Sequence, residues 1–241
     1  MSTNTESVDP ELVEETKQQI RVLVNEIAQL AASDLPENEF YEGFLNRVVT
    51  ALAAHGGVVW DVSGGPLQVA HQIALRESGI LANEENQMAH GRLLRKLIET
   101  GEPMLVAPHS GPGDETEGAN PTEHLLVLGV LRADQEVQGI LEVFQRIGAP
   151  PATQRGYLRF VAQMCDLAGD YLKTRSLRRF GHRQTLWNQI EQFTRAVHRT
   201  LDGRSTAYAL ANEGRRLIEC DRITVAIMKG SKCKIEAISG Q

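Results

Sequence analysis

HLLVLGVLRADQEVQGILEVFQR, residues 124–146, reads as two strands joined by a tight turn at Asp134-Gln135. In LLVLGVL, residues 125–131, apolar side chains follow one another without alternation. Successive strand residues point to opposite faces, so such a run belongs to a central strand covered on both sides. A sheet covered on both faces is therefore expected around this strand.

Upstream, GPGDETEGANPTE (111–123) is a polar loop, and PMLVAPHS (103–110) predicts a short strand whose proline sits at its start or edge. NEENQMAHGRLLRKLIET (83–100) returns to helical spacing. Met88, Leu93, Leu94, Leu97 and Ile98 are its candidate buried residues, and Gly101 its C-cap. GVVWDVS (57–63), a Gly-Gly-Pro turn and LQVAHQIAL (67–75) predict a β-hairpin. A helix over 37–54 carries Phe40, Phe44, Leu45, Val48, Val49 and Leu52 on one face and stops at His55-Gly56-Gly57. A first helix over 10–32 has Asp9 as N-cap and Pro10 at its first position. Its Val13, Thr16, Ile20, Leu23, Ile27 and Leu30 follow 3-4-3-4-3 spacing, a short coiled-coil seam. Residues 1–9 are polar and expected to be disordered.

Downstream, a long helix starts at Ala152 or Thr153 and runs to about 200. Tyr157, Phe160, Val161, Met164, Leu167, Ala168 and Tyr171 form a wide stripe suited to the sheet. Phe180, Trp187, Ile190, Thr194, Val197 and Leu201 continue as a second seam. The last forty residues echo an earlier stretch. Shifted by 165 positions, Leu45 falls on Leu210, Leu52 on Leu217, Val58 on Ile223 and Val62 on Ile227, with one extra residue in the second turn. Both copies read helix, polar break, strand, turn, strand. The second stops early, so the expectation is an N-terminal piece of a longer protein. The expected domains are a dimerisation helix (1–32), a complete α/β domain (33–150), a linker helix (151–201) and an incomplete repeat (202–241).

The chain has 241 residues, 41% hydrophobic and 23% charged, as expected of a soluble globular protein. Net charge is −6, which argues against nucleic acid as a partner, since phosphate binding needs a clustered positive surface. RSLRRFGHR (175–183) is a local exception: a solvated helix face, a surface for anionic lipid, or a mate for an acidic helix of a partner chain. The N-terminus lacks the basic start and apolar centre of a secretory signal, so a cytoplasmic chain is expected. Cys165, Cys220 and Cys233 are widely spaced and read as reduced thiols, Cys165 as a small core residue.

Among the histidines of the first domain, His71, His90, His109 and His124 show no helical i, i+4 pairing to a carboxylate, so no metal site is expected. Loop 111–123 fits neither a phosphate loop nor a calcium loop and reads as a solvated lid over a pocket between the sheet and helix 83–100. His71, His109 and Glu142 are the candidate polar groups of that pocket, all placed on strands. No nucleophile elbow, carboxylate pair or Cys/His pair stands out, so no catalytic residue is assigned and no enzyme activity is expected. Unpartnered seams need a partner. The expectation is a parallel homodimer using Ile20, Leu23, Ile27, Leu30, Phe180, Trp187, Ile190 and Val197.

The order helix, hairpin, helix, strand, polar loop, two-strand meander, long exit helix resembles the GAF domain. This gives an α+β fold class: a GAF-like antiparallel sheet with flanking helices, a long linker helix and a truncated second repeat. NEENQMAHGRLLRKLIETGEPMLVAPHSG, NPTEHLLVLGVLRADQEVQGILEVFQR and ATQRGYLRFVAQMCDLAGDYLKTRSLRRF are similar to the cytoplasmic N-terminal GAF regions of HlyD-type membrane-fusion proteins, adaptors of efflux and secretion systems. That resemblance implies small-molecule sensing or assembly coupled to export, with a membrane anchor and export machinery reached through residues beyond 241. The asparagine-lysine-phenylalanine-aspartate-glutamate set of cyclic-nucleotide binders is not found, and no cysteine lies in a pocket-forming segment of the complete domain, so neither that ligand nor bilin or haem is implied. The ligand stays open. The alternatives are a purely structural dimerisation scaffold, or the sensor module of a signalling enzyme or transcription regulator.

Overall fold

The computed structural model describes residues 10–111, 118–199 and 202–240. The elements are α1 (Pro10–Ala32), α2 (Glu37–Ala51), β1 (Gly56–Asp61), β2 (Gln68–Ile73), α3 (Glu84–Thr100), β3 (Met104–Val106), β4 (Leu125–Ala133), β5 (Glu136–Gln145), α4 (Pro151–His198), α5 (Gly203–Ile218), β6 (Ile223–Lys229) and β7 (Lys232–Ser239). They form two compact units that meet within α4, at Arg175 and Ser176.

In the first unit the sheet order is β2-β1-β5-β4-β3, and every neighbouring pair is antiparallel. The unbroken apolar run makes β4 an interior strand, buried at every position from Leu125 to Leu131. β5 holds the centre, and its residues from Gly139 to Gln145 are buried. Strand alternation then divides the core. Val127, Leu131, Leu141 and Val143 face α1, α2 and the first part of α4, while Leu126, Leu128, Val130, Ile140 and Phe144 face α3. This is the two-sided burial that the 124–146 stretch implied.

α4 packs unusually close to β4. A Cβ on Gly129 would lie 2.6 Å from Cys165 Sγ and 2.8 Å from Val161 Cγ1. A Cβ on Gly169 would collide with the backbone oxygen of Arg132. Two small residues let helix and strand approach, and Val161, Met164, Cys165, Ala168 and Tyr171 then fill the layer. Tyr171 stacks on Phe40 with ring centroids 3.7 Å apart and donates its hydroxyl to Leu35 O at 2.8 Å. Burial pushes the Cys165 thiol well above its ordinary pKa.

Several expectations are corrected. α1 is no free seam: Ile27 and Ala31 are buried in the same core, Leu30 meets Gly43, and Glu26 pairs with Arg47 at 2.7 Å. Burial of Ile27 inside its own chain removes it from any outward interface. α2 ends at Ala51 rather than 54, because Ala53 adopts a left-handed φ of 45°. β3 spans only Met104–Val106, so His109, with φ of 51°, lies in a turn and not on a strand. Met88 is 57% exposed, outside the stripe of Leu93, Leu94 and Leu97. The expected disorder of 1–9, most of the lid (112–117), and Leu201 of the second seam lie outside the described residues, as do the side chains of Val13, Thr16, His182 and Arg183.

The second unit contains α5 packed on the β6–β7 hairpin, with Ala207, Ala211 and Ala237 buried against Ile223 and Val225. It repeats α2-β1-β2 at a shift of 166 positions, not 165. Partner pairs Gly57–Ile73, Val59–His71 and Asp61–Gln68 become Ile223–Ser239, Val225–Ala237 and Ile227–Lys234. Both hairpins carry a bulge at the equivalent place, after Val59 and after Val225. Left-handed Ala53 becomes left-handed Glu219, and buried Tyr41, Leu45 and Val48 become Ala207, Ala211 and Gly214. The 165 alignment fails because a one-residue slip in a strand exchanges its two faces.

Two substitutions in α4 separate close packing from helix propensity. Gly169→Leu should lower stability by about 1–3 kcal/mol through overpacking against Arg132. Gly181→Ala, with no neighbouring atom within 4 Å, should raise it by up to about 1 kcal/mol. Urea unfolding of the two variants beside the parent chain measures both.

Candidate functional site

β1 and β5 pair so that Val58 lies opposite Glu142 and Trp60 opposite Ile140, all on the face turned to α3. A carboxylate in the midst of this apolar layer needs partners, because desolvating it alone would be costly. It finds two. Trp60 Nε1–H donates to Glu142 Oε2 at 2.8 Å, and His90 Nε2 lies 2.8 Å from Glu142 Oε1. Glu142 is fully buried, His90 is 3% exposed and Trp60 9%. The imidazole also tilts against the indole, with ring centroids 5.7 Å apart.

His90 reaches this position because α3 is fixed at both ends. Asn83 caps its start by accepting from Asn86 N–H at 2.8 Å, and left-handed Gly101 closes its end. His90 then shares a helical face with Leu93, Leu94 and Leu97. A proton between His90 and Glu142 makes the contact a hydrogen bond whichever group holds it. The carboxylate, indole and imidazole thus form one closed polar cluster in the α3 layer.

The rim above is stitched by Asn120, itself fully buried. Its Nδ2 donates to Val106 O, Ala107 O and His124 O at 3.1, 3.0 and 2.7 Å, and its Oδ1 accepts from Thr122 N–H and Oγ1–H. Gly118, at φ of 88°, presses so closely on α3 that a Cβ would strike Leu93 N and Ala89 O. Ala119 N–H adds a hydrogen bond to Ala89 O at 3.1 Å. The described tail of the 111–123 loop is therefore fastened to α3 and β3. Beside it His124 stacks on His55 with ring centroids 4.7 Å apart. Burial, and then the neighbouring His55, hold the His124 imidazole below its usual pKa, against a smaller opposing pull from Glu123.

The three nominated pocket residues do not come together. Glu142 is in the cluster. His71 is half-buried on edge strand β2, opposite Val59. His109 lies outside at 57% side-chain exposure, 3.0 Å from Glu123. A surface cleft of about 670 Å³ between the Asp134-Gln135 turn and α4, lined by Arg132, Cys165, Asp166 and Lys173, includes none of them. Sequence reasoning missed Trp60, His90 and Asn120. Two signals were present: a lone charge in the otherwise apolar GILEVF, and a histidine at i−3, i−4 and i−7 from three leucines. Of the nominated interface residues on α4, Phe180 and Trp187 are 66% and 67% exposed, Ile190 is exposed and Val197 half-buried.

No family model matches the chain, and no curated protein does. Solved structures are similar to it. The A. aeolicus nlh2 GAF domain in an inactive state is 19% identical, with a TM-score of 0.50 over 66% of this chain and 99% of its own. The GAF domain of an Acinetobacter phosphoenolpyruvate-protein phosphotransferase is 15% identical, with a TM-score of 0.44 over 70% of this chain and 97% of its own. A Stigmatella aurantiaca phytochrome photosensory core module is 11% identical, with a TM-score of 0.49 over 97% of this chain and 50% of its own. The five-stranded antiparallel sheet with helices on both faces is a GAF-like α+β fold. Among the described residues, no helix is long and apolar enough to cross a membrane.

Glu142→Ala should cost on the order of 3–5 kcal/mol, since it orphans the Trp60 and His90 nitrogens. The triple replacement Trp60→Phe, His90→Leu, Glu142→Leu should recover most of that loss in guanidinium unfolding. For His124 the folded pKa lies below the unfolded one, so between the two the unfolded chain binds more protons and stability rises with pH. Lowering the pH from above to below about 6.5 should therefore reduce Tm. His124→Gln should show a smaller acid-side drop in calorimetry.

Proposed function

We propose that this chain is a non-catalytic GAF-type sensory and regulatory module that also dimerises. The observation that carries the sensory reading is the Trp60–Glu142–His90 cluster. It brings a buried carboxylate, imidazole and indole N–H together in the α3 layer. Buried ionisable groups are concentrated at functional sites, which supports a recognition role for this cluster. In its narrower form, the reading makes the chain the cytoplasmic N-terminal part of a membrane-fusion protein of an efflux or secretion system, supported by the three stretches that resemble those adaptors.

A second reading, a structural dimerisation scaffold, is favoured by a different observation. Leu93, Leu94, Leu97, Leu126, Leu128 and Phe144 are all essentially fully buried around the cluster. A thermal-shift screen of cytoplasmic metabolites separates the two. The sensory reading expects at least one compound to raise the Tm of the parent chain and not of the Trp60→Phe, His90→Leu, Glu142→Leu variant. A full screen without any shift leaves the scaffold.

Dimerisation is supported by the α4 stripe. Leu177, Phe180, Trp187 and Ile190 expose large apolar side chains at helical spacing. Burying each is worth about 1.5–3 kcal/mol. On α1, an open groove beside α2 leaves Val22 exposed, and Ile20 and Leu23 are half-buried. The combined Trp187→Glu, Ile190→Glu variant should convert a dimer to a monomer in light scattering. A mass identical to that of the parent chain would remove the α4 stripe from the interface.

A further inference from the structure

The cleft of about 670 Å³ between the Asp134-Gln135 turn and α4 has an apolar floor, made by Val130 on β4 with Ala162 and Cys165 on α4. Its sides carry unlike charge: Arg132 comes from β4, Asp166 and Asp170 from α4. Two further charges that line it, Lys173 and Asp134, satisfy each other at 3.5 Å. The other three do not. Among the described residues, neither Asp166 nor Asp170 makes an ion pair or a side-chain hydrogen bond. Arg132 meets no carboxylate, and its Nη2 donates instead to Gly101 O at 2.5 Å.

Neither side can move to close the gap. Gly101 leaves room for the guanidinium to lie over the end of α3, since a Cβ there would sit 3.1 Å from Arg132 Cζ. α4 already touches β4 at two places, Gly169 against the Arg132 backbone and Gly129 against Val161 and Cys165. The two aspartates are short side chains on that clamped helix, one turn apart on one side of it. Opposite charges are thus held in one concave site without neutralising each other. A small molecule that carries both signs would satisfy both sides at once. The guanidinium offers parallel N–H donors that match a carboxylate, and two carboxylates suit the three N–H donors of an ammonium.

We propose that this cleft binds a free α-amino acid with a small aliphatic side chain. Its carboxylate lies on Arg132, its ammonium between Asp166 and Asp170, and its side chain on Val130 and Ala162. The cleft shares no residue with the Trp60–Glu142–His90 cluster. The inference goes beyond the sensory reading of that cluster and does not rest on it.

The test titrates the isotope-labelled full chain with L-valine at neutral pH, where the amino acid carries both charges. Amide resonances of Gly101, Arg132, Asp166 and Gly169 should shift and saturate, while those of Trp60 and His90 stay in place. Isobutylamine keeps only the ammonium and isovalerate only the carboxylate, and each should bind about tenfold or more weakly. The combined Asp166→Asn, Asp170→Asn variant should weaken L-valine binding by about the same factor with an unchanged Tm. Arg132→Gln should do so from the other side. Should that variant unfold for want of its bond to Gly101, the aspartate variant decides. Absence of any shift at these amides in ~10 mM L-valine, about ten times a millimolar Kd, overturns the proposal. Isobutylamine binding as tightly as L-valine also overturns it, leaving a plain cation site on α4. So do shifts at Trp60 and His90 in place of the cleft amides, which would seat the amino acid in the α3 layer. The first two failures leave the reading of that layer untouched, because its own metabolite screen decides it.

Discussion

Glu142 occupies the middle of the strand on which every layer of the first unit rests, and no water reaches it. Its carboxylate must be met by fixed donors, and this requirement ties three elements into one register. Trp60 must sit on β1 at the height of Ile140, and His90 must come down from α3 between Leu93, Leu94 and Leu97. A purely apolar layer tolerates small slides of a helix over a sheet. A layer with a directional cluster at its centre does not, because each hydrogen bond has one acceptable geometry. The cluster therefore fixes the docking of α3.

The opposite face obeys a different rule. There α4 is held by proximity, and the constraint is the absence of side chains at Gly129 and Gly169. Phe40 stacked on Tyr171 and the Tyr171 bond to Leu35 O set the height of the helix along the sheet. The two faces of one sheet are thus fixed by unlike means, a polar lock on one side and steric fit on the other.

Element order and strand pairing were legible because they follow from unbroken apolar runs and helical spacing. The 124–146 meander and the Gly101 end of α3 lie where their residues put them, and α4 starts at Pro151, one residue before the earlier of its two expected starts. What escaped reading depends on three-dimensional coincidence. Glu142 was visible as an anomaly, but its partners are 82 and 52 residues away in sequence. His109 looked like a strand residue until a left-handed turn cut β3 short. Within the heptad of α1, Ile27 packs on its own α2, which its spacing alone does not reveal. The repeat was seen, yet one residue out of register, because apolar matches such as Leu45 on Leu210 and Val58 on Ile223 do not fix the face of a strand. The bulges and paired left-handed residues supply that register.

The three thiols differ sharply in environment. Cys165 is sealed under Gly129 with its proton held firmly, Cys220 is half-buried, and Cys233 stands open at the tip of the β6–β7 hairpin. Thiolate reactivity follows exposure and acidity. Maleimide or spin-label chemistry on the unmodified chain will accordingly favour Cys233 on the hairpin of the second unit and spare Cys165 in the first. A fluorophore there gives a readout of whatever settles on that hairpin, with no engineered cysteine, while the silence of Cys165 reports that the sheet and its long helix remain in contact.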